Sequence, residues 1–244
     1  SANSDIPLFK IREILLQSLY TCWAKAVSHE LRTPLTAISG WGETLLADPD
    51  RDQIQLHRGL RIILNESRRL SGMVEELLSF SKMEDGRFTL QLEDVDLQAE
   101  FEDSVFTYRE LFRQEGIELH YEPGVEILPA ISGDPERLKQ VFCNVLDNAS
   151  KHDGAGKRID ASMTREGSAQ VIRVRDYGPG IPEAELPYVK QKFYKGSSKE
   201  RGSGIGLAVC DEIIRRHEGT FDIGNAPGGG CVVTIRLPIS HEEE

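Results

Sequence analysis

The chain is short of positive charge. Its 244 residues carry 29 lysines and arginines against 40 aspartates and glutamates, a formal net charge of −11. That balance argues against nucleic acid or an anionic membrane surface as the main partner, because both favour a basic face. Long apolar runs are missing too: nothing approaches the roughly 20 residues of a membrane span, and residues 1 to 6 do not read as a secretory signal. The four cysteines, at 22, 143, 210 and 231, have no metal-ligand spacing. They read as reduced, cytosolic thiols. No repeat or low-complexity tract interrupts the chain, and its length suffices for two domains with sizeable cores.

What is present begins with helical periodicity. From about residue 6 to 47, Ala24, Val27, Leu31, Leu35, Ile38 and Leu45 fall on one stripe at about 100° per residue. His29 lies on the far side, with Thr33 within about 40° of it one turn later, so an imidazole and a hydroxyl share an exposed face beside Glu30. Pro34 lacks an N–H and crowds the carbonyl of Glu30, which predicts a helix loosened or bent beside the histidine. Ala47-Asp48-Pro49-Asp50 breaks the pattern. A second helix is predicted from about 52 to 83, with Ile63, Leu70, Met73, Val74, Leu77 and Leu78 as its seam. One hairpin cannot hide its apolar stripe on both sides, so two copies packed as a four-helix bundle are expected, that is, a homodimer.

After Met83-Glu84-Asp85-Gly86 the texture becomes mixed. Arg87 to Leu92 alternates as a strand, and Asp96 caps a helix closed by Gly116. Short strands are expected near Ile117 to Tyr121 and Val125 to Leu128. Asp134 and Pro135 open another helix, whose core stripe is Leu138, Val141, Phe142, Val145, Leu146 and Ala149. Asn144, Asn148, Lys151 and His152 lie on a different face. Two amides four apart suit oxygen ligation of a hard cation and a lysine suits phosphate, although a solvated helix face accounts for the same residues.

Strands near Ile159 to Thr164 and Val171 to Arg175 lead into Asp176-Tyr177-Gly178-Pro179-Gly180. A carboxylate beside two glycines at a strand end fits a flat ring, and an ordinary turn reads equally well. The polar segment Tyr194 to Arg201 has a loop's composition. It runs into Gly202-Ser203-Gly204-Ile205-Gly206-Leu207, a glycine-led helix start of the kind that attracts anions, with neither Rossmann nor P-loop spacing. Thr220 to Ile223 and Cys231 to Leu237 close the chain as a strand pair joined through Pro227-Gly228-Gly229-Gly230, a cluster that reads as a turn.

Four motifs in order, SHELRTPL, NVLDNASKH, DYGPGIP and GSGIGLAVC, with Phe193 between the last two, resemble the phospho-accepting, asparagine, first glycine, phenylalanine and second glycine boxes of bacterial sensor histidine kinases. The resemblance spans His29 to Leu237. It implies an α+β chain: a dimeric helical hairpin (residues 1–84) followed by an α/β sandwich that binds ATP (residues 85–244), of the type shared with gyrase and heat-shock ATPases. The implied activity is autophosphorylation of His29, helped by Glu30, with transfer to an aspartate of a response-regulator receiver domain. Thr33 would orient a water for the reverse, phosphatase reaction, and a hinge near residues 83 to 95 would let the ATP domain swing.

By the same resemblance Asn148, assisted by Asn144, would ligate Mg2+, while Lys151 and His152 would lie at the nucleotide. Asp176 would accept from the adenine amino group, with Gly178 and Gly180 making room for the ring. Phe193 would anchor a lid, and Gly202, Gly204, Gly206 and Leu207 would line the phosphate side. The family also implies an upstream sensor or membrane region, with this portion cytoplasmic. The sequence departs from the family pattern at Trp23, at Lys190, where an apolar residue is usual, and at His152-Asp153-Gly154. A gyrase-type ATPase would place a catalytic glutamate at Asn144 and has no His29 hairpin. A degenerate kinase serving as dimeric scaffold or phosphatase module is the other alternative.

Overall fold

The computed structural model describes residues 8–47, 52–85, 88–124, 128–152, 156–194, 196 and 204–239, with side chains of the first helix from Val27 onward. Two compact units divide the chain, one running to Leu78 and the other beginning at Ser79.

The first unit holds the long helix α1 (Leu8–Ala47) and most of α2 (Gln53–Glu84), whose last turns from Ser79 belong to the second unit. Helix α1 continues through Pro34, which is buried. The two helices run antiparallel. A Cβ at the buried Gly59 would come within 2.8 Å of the Trp41 ring and 3.1 Å of Leu45, and Arg69 meets Glu30 farther along. Gly59 is therefore where the helices pack closest to the turn, because any side chain there would push Trp41 away. Along the stripe read from the sequence, Val27, Leu31, Ile38 and Leu45 are half-buried and Leu35 is exposed. On α2, Leu60, Leu64, Val74 and Leu78 are also exposed. Ala24 and the turn at 48–51 lie outside the described side chains and residues.

The second unit holds a five-stranded mixed sheet in the order β2-β4-β5-β7-β6, built from β2 (Glu118–Glu122), β4 (Arg158–Glu166), β5 (Ala169–Asp176), β6 (Thr220–Asn225) and β7 (Cys231–Pro238). Strand β2 runs parallel to β4 and the other pairs are antiparallel. Burial alternates along β4 and β7, so one face of the sheet meets the core. Helices α3 (Leu97–Glu115), α4 (Pro135–His152) and α5 (Gly206–Arg216) cover that face. Phe101, Leu138, Phe142, Leu146, Ile159, Met163, Ile172, Ile213 and Leu237 interlock there, each at most 1% exposed.

The capping residues read from the sequence are in place. The Asp96 carboxylate accepts from Ala99 N–H, and Gly116 closes α3 at φ 75°. Asp134 Oδ1 accepts from Arg137 N–H at the start of α4.

One expectation fails. The alternating stretch from Phe88 to Leu92 is extended coil, and pairing begins only at β1 (Glu93–Val95), antiparallel to β3 (Ile131–Gly133). The reason lies in Phe88, which is buried with the guanidinium groups of Arg137 and Arg216 each 5.1 Å from its ring centre. Its carbonyl accepts from Arg216 Nη1, and Gln91 N–H goes to Asp134 Oδ2 rather than to a strand. The backbone groups a ladder needs are thus satisfied elsewhere. From Phe88 onward the chain is bound to the second unit, a stretch that falls inside the expected hinge at 83 to 95. Most of the strand expected at 125–128 lies outside the described residues, and β3 was not foreseen.

Candidate functional site

On the hairpin, the His29 ring faces solvent. Thr33 Oγ1 donates to the His29 carbonyl at 3.3 Å, which holds the hydroxyl one turn from the imidazole and leaves its lone pairs to accept from a water. Glu30 is turned toward α2, where Arg69 Nη2 lies 3.5 Å from its Oε2. Arg69 is shared, its other nitrogen 3.6 Å from Glu66.

In the second unit the centre of the site is Asp176, the last residue of β5 and 6% exposed. Its Oδ1 accepts two backbone N–H groups, from Gly178 at 3.0 Å and from Cys231 at 3.1 Å. Both bonds converge on one oxygen. The other oxygen is left to an incoming donor, the requirement for reading an exocyclic amine. Burial beside Asp176 pushes the Cys231 thiol up to about 12, so it stays protonated.

The glycine loop after Asp176 is held from across the sheet. Asn225, the last residue of β6, accepts from Ile181 N–H and donates to Ile181 O, both at 2.7 Å. A Cβ at Gly180 would sit 2.8 Å from that same amide, and one at Gly230 would sit 2.0 Å from the Asp176 carbonyl. Arg175 Nη2 donates to the Pro227 and Gly229 carbonyls, binding β5 to the turn. The guanidinium of Arg175 stands 4.5 Å from the Tyr177 ring centre, and Tyr177 in turn donates to Asp160 at 2.5 Å. The cluster Pro227 to Gly230 is a turn as expected, but it also forms the wall behind Asp176. Sequence reasoning missed Asn225, Gly230 and Cys231 as parts of the site.

On α4, Asn144 and Asn148 are half-buried, and Lys151 and His152 are exposed. A Cβ at Gly206 would meet Asn144 Oδ1 at 2.8 Å, so the asparagine face of α4 lies against the first residue of α5. Behind it, burial pushes the Asp147 carboxyl up, while Lys151 and the Tyr108 hydroxyl draw it back down. Gly204 has φ 71°, Ile205 is buried, and Leu207 lies in the first turn of α5, which Gly206 begins. Gly204 O accepts from Phe193 N–H at 2.8 Å, and Phe193 itself adopts φ 67°. The Phe193 ring meets Phe80 edge-on at 5.3 Å. Gly202 and most of the polar segment from Tyr194 to Arg201 lie outside the described residues.

Among the described residues no group of three His, Cys, Asp or Glu side chains could hold a metal. The donor set on α4 is two carboxamides. That suits Mg2+, which takes few protein ligands and completes its shell with substrate phosphates and water.

Residues 23–86 match the His Kinase A (phospho-acceptor) domain, and residues 133–241 match the histidine kinase-, DNA gyrase B-, and HSP90-like ATPase family. The signal transduction histidine-protein kinase AfsQ2 of Streptomyces coelicolor is 36% identical over 230 residues, covering 87% of this chain and 40% of its own length. The histidine kinase AdeS of Acinetobacter baumannii superposes with a TM-score of 0.63 at 26% identity, covering 87% of this chain and 98% of that one. The histidine kinase ThkA, solved in complex with the response regulator TrrA, gives 0.68 at 25% identity over 99% of this chain and 70% of its own. The chain spans about half or less of the curated relatives it matches. With an exposed histidine on a phospho-acceptor hairpin and a glycine-walled aspartate on an ATPase-type sheet, the chain belongs to the bacterial two-component sensor histidine kinases.

Proposed function

We propose that the chain is an autophosphorylating protein histidine kinase that uses ATP to phosphorylate His29 and passes the phosphoryl group to an aspartate of a response-regulator receiver domain. The observation that carries this reading is the outward-facing His29 ring, flanked by Glu30 and Thr33. A ring nitrogen of His29 attacks the γ-phosphorus, the bond from that phosphorus to the β–γ bridging oxygen breaks, and ADP departs. The proton on the other ring nitrogen passes to Glu30. Phosphoryl transfer asks the protein mainly for positioning and neutralisation of charge. Lys151 and the amides at the start of α5 supply these, and Mg2+ held by Asn148 and Asn144 would neutralise the phosphates. His152 lies at the rim. Asp176 takes the adenine amine, with Gly178 and Gly180 against the ring. Thr33 serves the phosphatase direction by orienting water.

Residues 1–84 form the phospho-acceptor hairpin and 85–244 the catalytic domain. Exposed Leu35, Leu60, Leu64, Val74 and Leu78 on a single hairpin support a homodimeric four-helix bundle. Among the described residues no helix is long and apolar enough to cross a membrane. That longer curated relatives are named sensor proteins supports a sensor region in the whole protein, with this portion on the cytoplasmic side. A degenerate scaffold is disfavoured because His29, Asn148 and Asp176 are all present.

The test is incubation with γ-labelled ATP followed by acid and base treatment. Acid-labile, base-stable label is expected on the wild-type chain and none on His29→Gln, which should still bind ATP. Label persisting on His29→Gln would refute the assignment.

A further inference from the structure

Lys190 lies two residues beyond the short 3-10 turn Leu186–Tyr188 and three before Phe193. Its ammonium group is 2.7 Å from Asp211 Oδ1 and 2.8 Å from the Phe221 carbonyl. Asp211 belongs to α5 and Phe221 to β6, so one cation ties the segment carrying Phe193 to two elements at once. The chain between Lys190 and Asp211 is joined a second time, by Phe193 N–H to Gly204 O at 2.8 Å. Two clamps therefore fix where α5 begins relative to Phe193. Beyond the inner clamp, Gly206 abuts Asn144.

From this circuit we infer that Lys190 is a positioning residue for nucleotide binding. Through Asp211 it sets the register of α5, and with it the Gly204–Gly206 amides, against the Asn144 face of α4. The inference rests on the nucleotide reading of the site. An isolated half-exposed ion pair contributes little. This one is reinforced by a charge-assisted bond to a backbone carbonyl, and it joins residues 21 positions apart in sequence. An apolar residue at 190 would leave Asp211 and the Phe221 carbonyl to water, and α5 would lose its outer tie.

The experiment uses the whole chain and titrates Mg·ATP by calorimetry into wild type, Lys190→Met, Asp211→Asn and the double variant, with melting temperatures taken without nucleotide. Each single variant should weaken ATP binding about fivefold, and the double no more than the weaker single, since both remove one interaction. Melting temperatures should stay within about 2 °C of wild type. Affinity within twofold of wild type in Lys190→Met, additive losses in the double, or a large melting shift with unchanged affinity of the folded protein would each overturn the inference. Asp176→Asn serves as the control. A wild-type chain that fails to bind ATP refutes the nucleotide reading itself, whereas tight wild-type binding with an unmoved Lys190→Met refutes only the clamp.

Discussion

Arg69 of α2 reaches across the hairpin to Glu30, the residue next to the exposed histidine, and does so while also engaging Glu66. The pair is partly buried, with Glu30 at 17% and Arg69 at 29% side-chain exposure, so it is screened less than a surface pair. It favours one orientation of the Glu30 carboxylate beside the histidine. Removing the guanidinium should free Glu30 from that orientation while leaving the nucleotide site untouched. We expect Arg69→Gln to slow His29 phosphorylation by about tenfold, in the range of losing a positioned proton acceptor, with ATP affinity unchanged. Arg69→Lys should recover part of the rate, and single-turnover labelling with a parallel ATP titration checks both. An unchanged labelling rate in Arg69→Gln would show that Glu30 needs no such support.

Asp176→Asn tests the division of labour between the two carboxylate oxygens. The amide keeps an oxygen to accept the Gly178 and Cys231 N–H groups, so the fold survives. It replaces the other oxygen with an NH2, which faces a donor with a donor. ATP affinity should fall about 10- to 100-fold, the cost of leaving a desolvated donor unpaired, with little change in melting temperature. Equal affinity would place the adenine contact elsewhere.

These two sites differ in how far the sequence disclosed them. The hairpin, α4 and the places of most sheet strands along the chain are local matters, written in the 3.6- and 2-residue periods and in caps such as Asp96 and Asp134. The order of those strands in the sheet was not read from the sequence. The positions of His29, Asn148 and Asp176 were legible because motifs are short runs of neighbours. Their supports were not. Asn225 acts on a residue 44 positions away, and Cys231 on one 55 positions away, and nothing in either neighbourhood distinguishes them from ordinary strand ends. Phe88 misled because alternation implies a strand only where the backbone is free to pair, and here two arginines and Asp134 hold it. Lys190 departed visibly from its family's pattern, but its partners on α5 and β6 became evident only in three dimensions.

Gly230 provides a sharper test of the wall behind Asp176. It has φ 81°, and a Cβ there would overlap the Asp176 carbonyl at 2.0 Å. Both strain and collision oppose a side chain. Gly230→Ala should therefore cost about 2–4 kcal/mol of stability and lower ATP affinity, because the Cys231 N–H must move with its neighbour. Gly224 is the matched control: it lies on the same strand pair, and a Cβ there would meet nothing within 4 Å. Gly224→Ala should leave both properties near wild type, and urea titration with ATP binding on the two variants settles the contrast. Equal tolerance at 230 and 224 would mean that the turn yields freely.

His217 predicts a pH dependence with a definite sign. It is buried, its Nε2 accepts from Asp134 N–H at 2.9 Å, and its Nδ1 donates to the Ile213 carbonyl at 2.8 Å. The imidazole thus joins the start of α4 to the end of α5 only while neutral. Burial holds its pKa below the usual histidine value, against smaller upward contributions from the Ile213 carbonyl and Asp134. In the unfolded chain the ring titrates near 6.5. Above that value neither state binds the proton and the stabilising link is fully present. As pH falls below it the unfolded state takes up a proton that the folded state refuses, so stability declines by up to about 1.4 kcal/mol per pH unit until the lowered folded pKa is reached. Denaturation midpoints of the wild-type chain should therefore drop between pH 7.5 and 5.5, a window above most carboxylate titration. His217→Gln should be less stable at pH 7.5, because its amide nitrogen and oxygen share one terminal carbon and cannot reproduce bonds made by two separated ring nitrogens, and should show a flatter response across the same window. A variant with the same slope as wild type would remove His217 as the source of acid sensitivity.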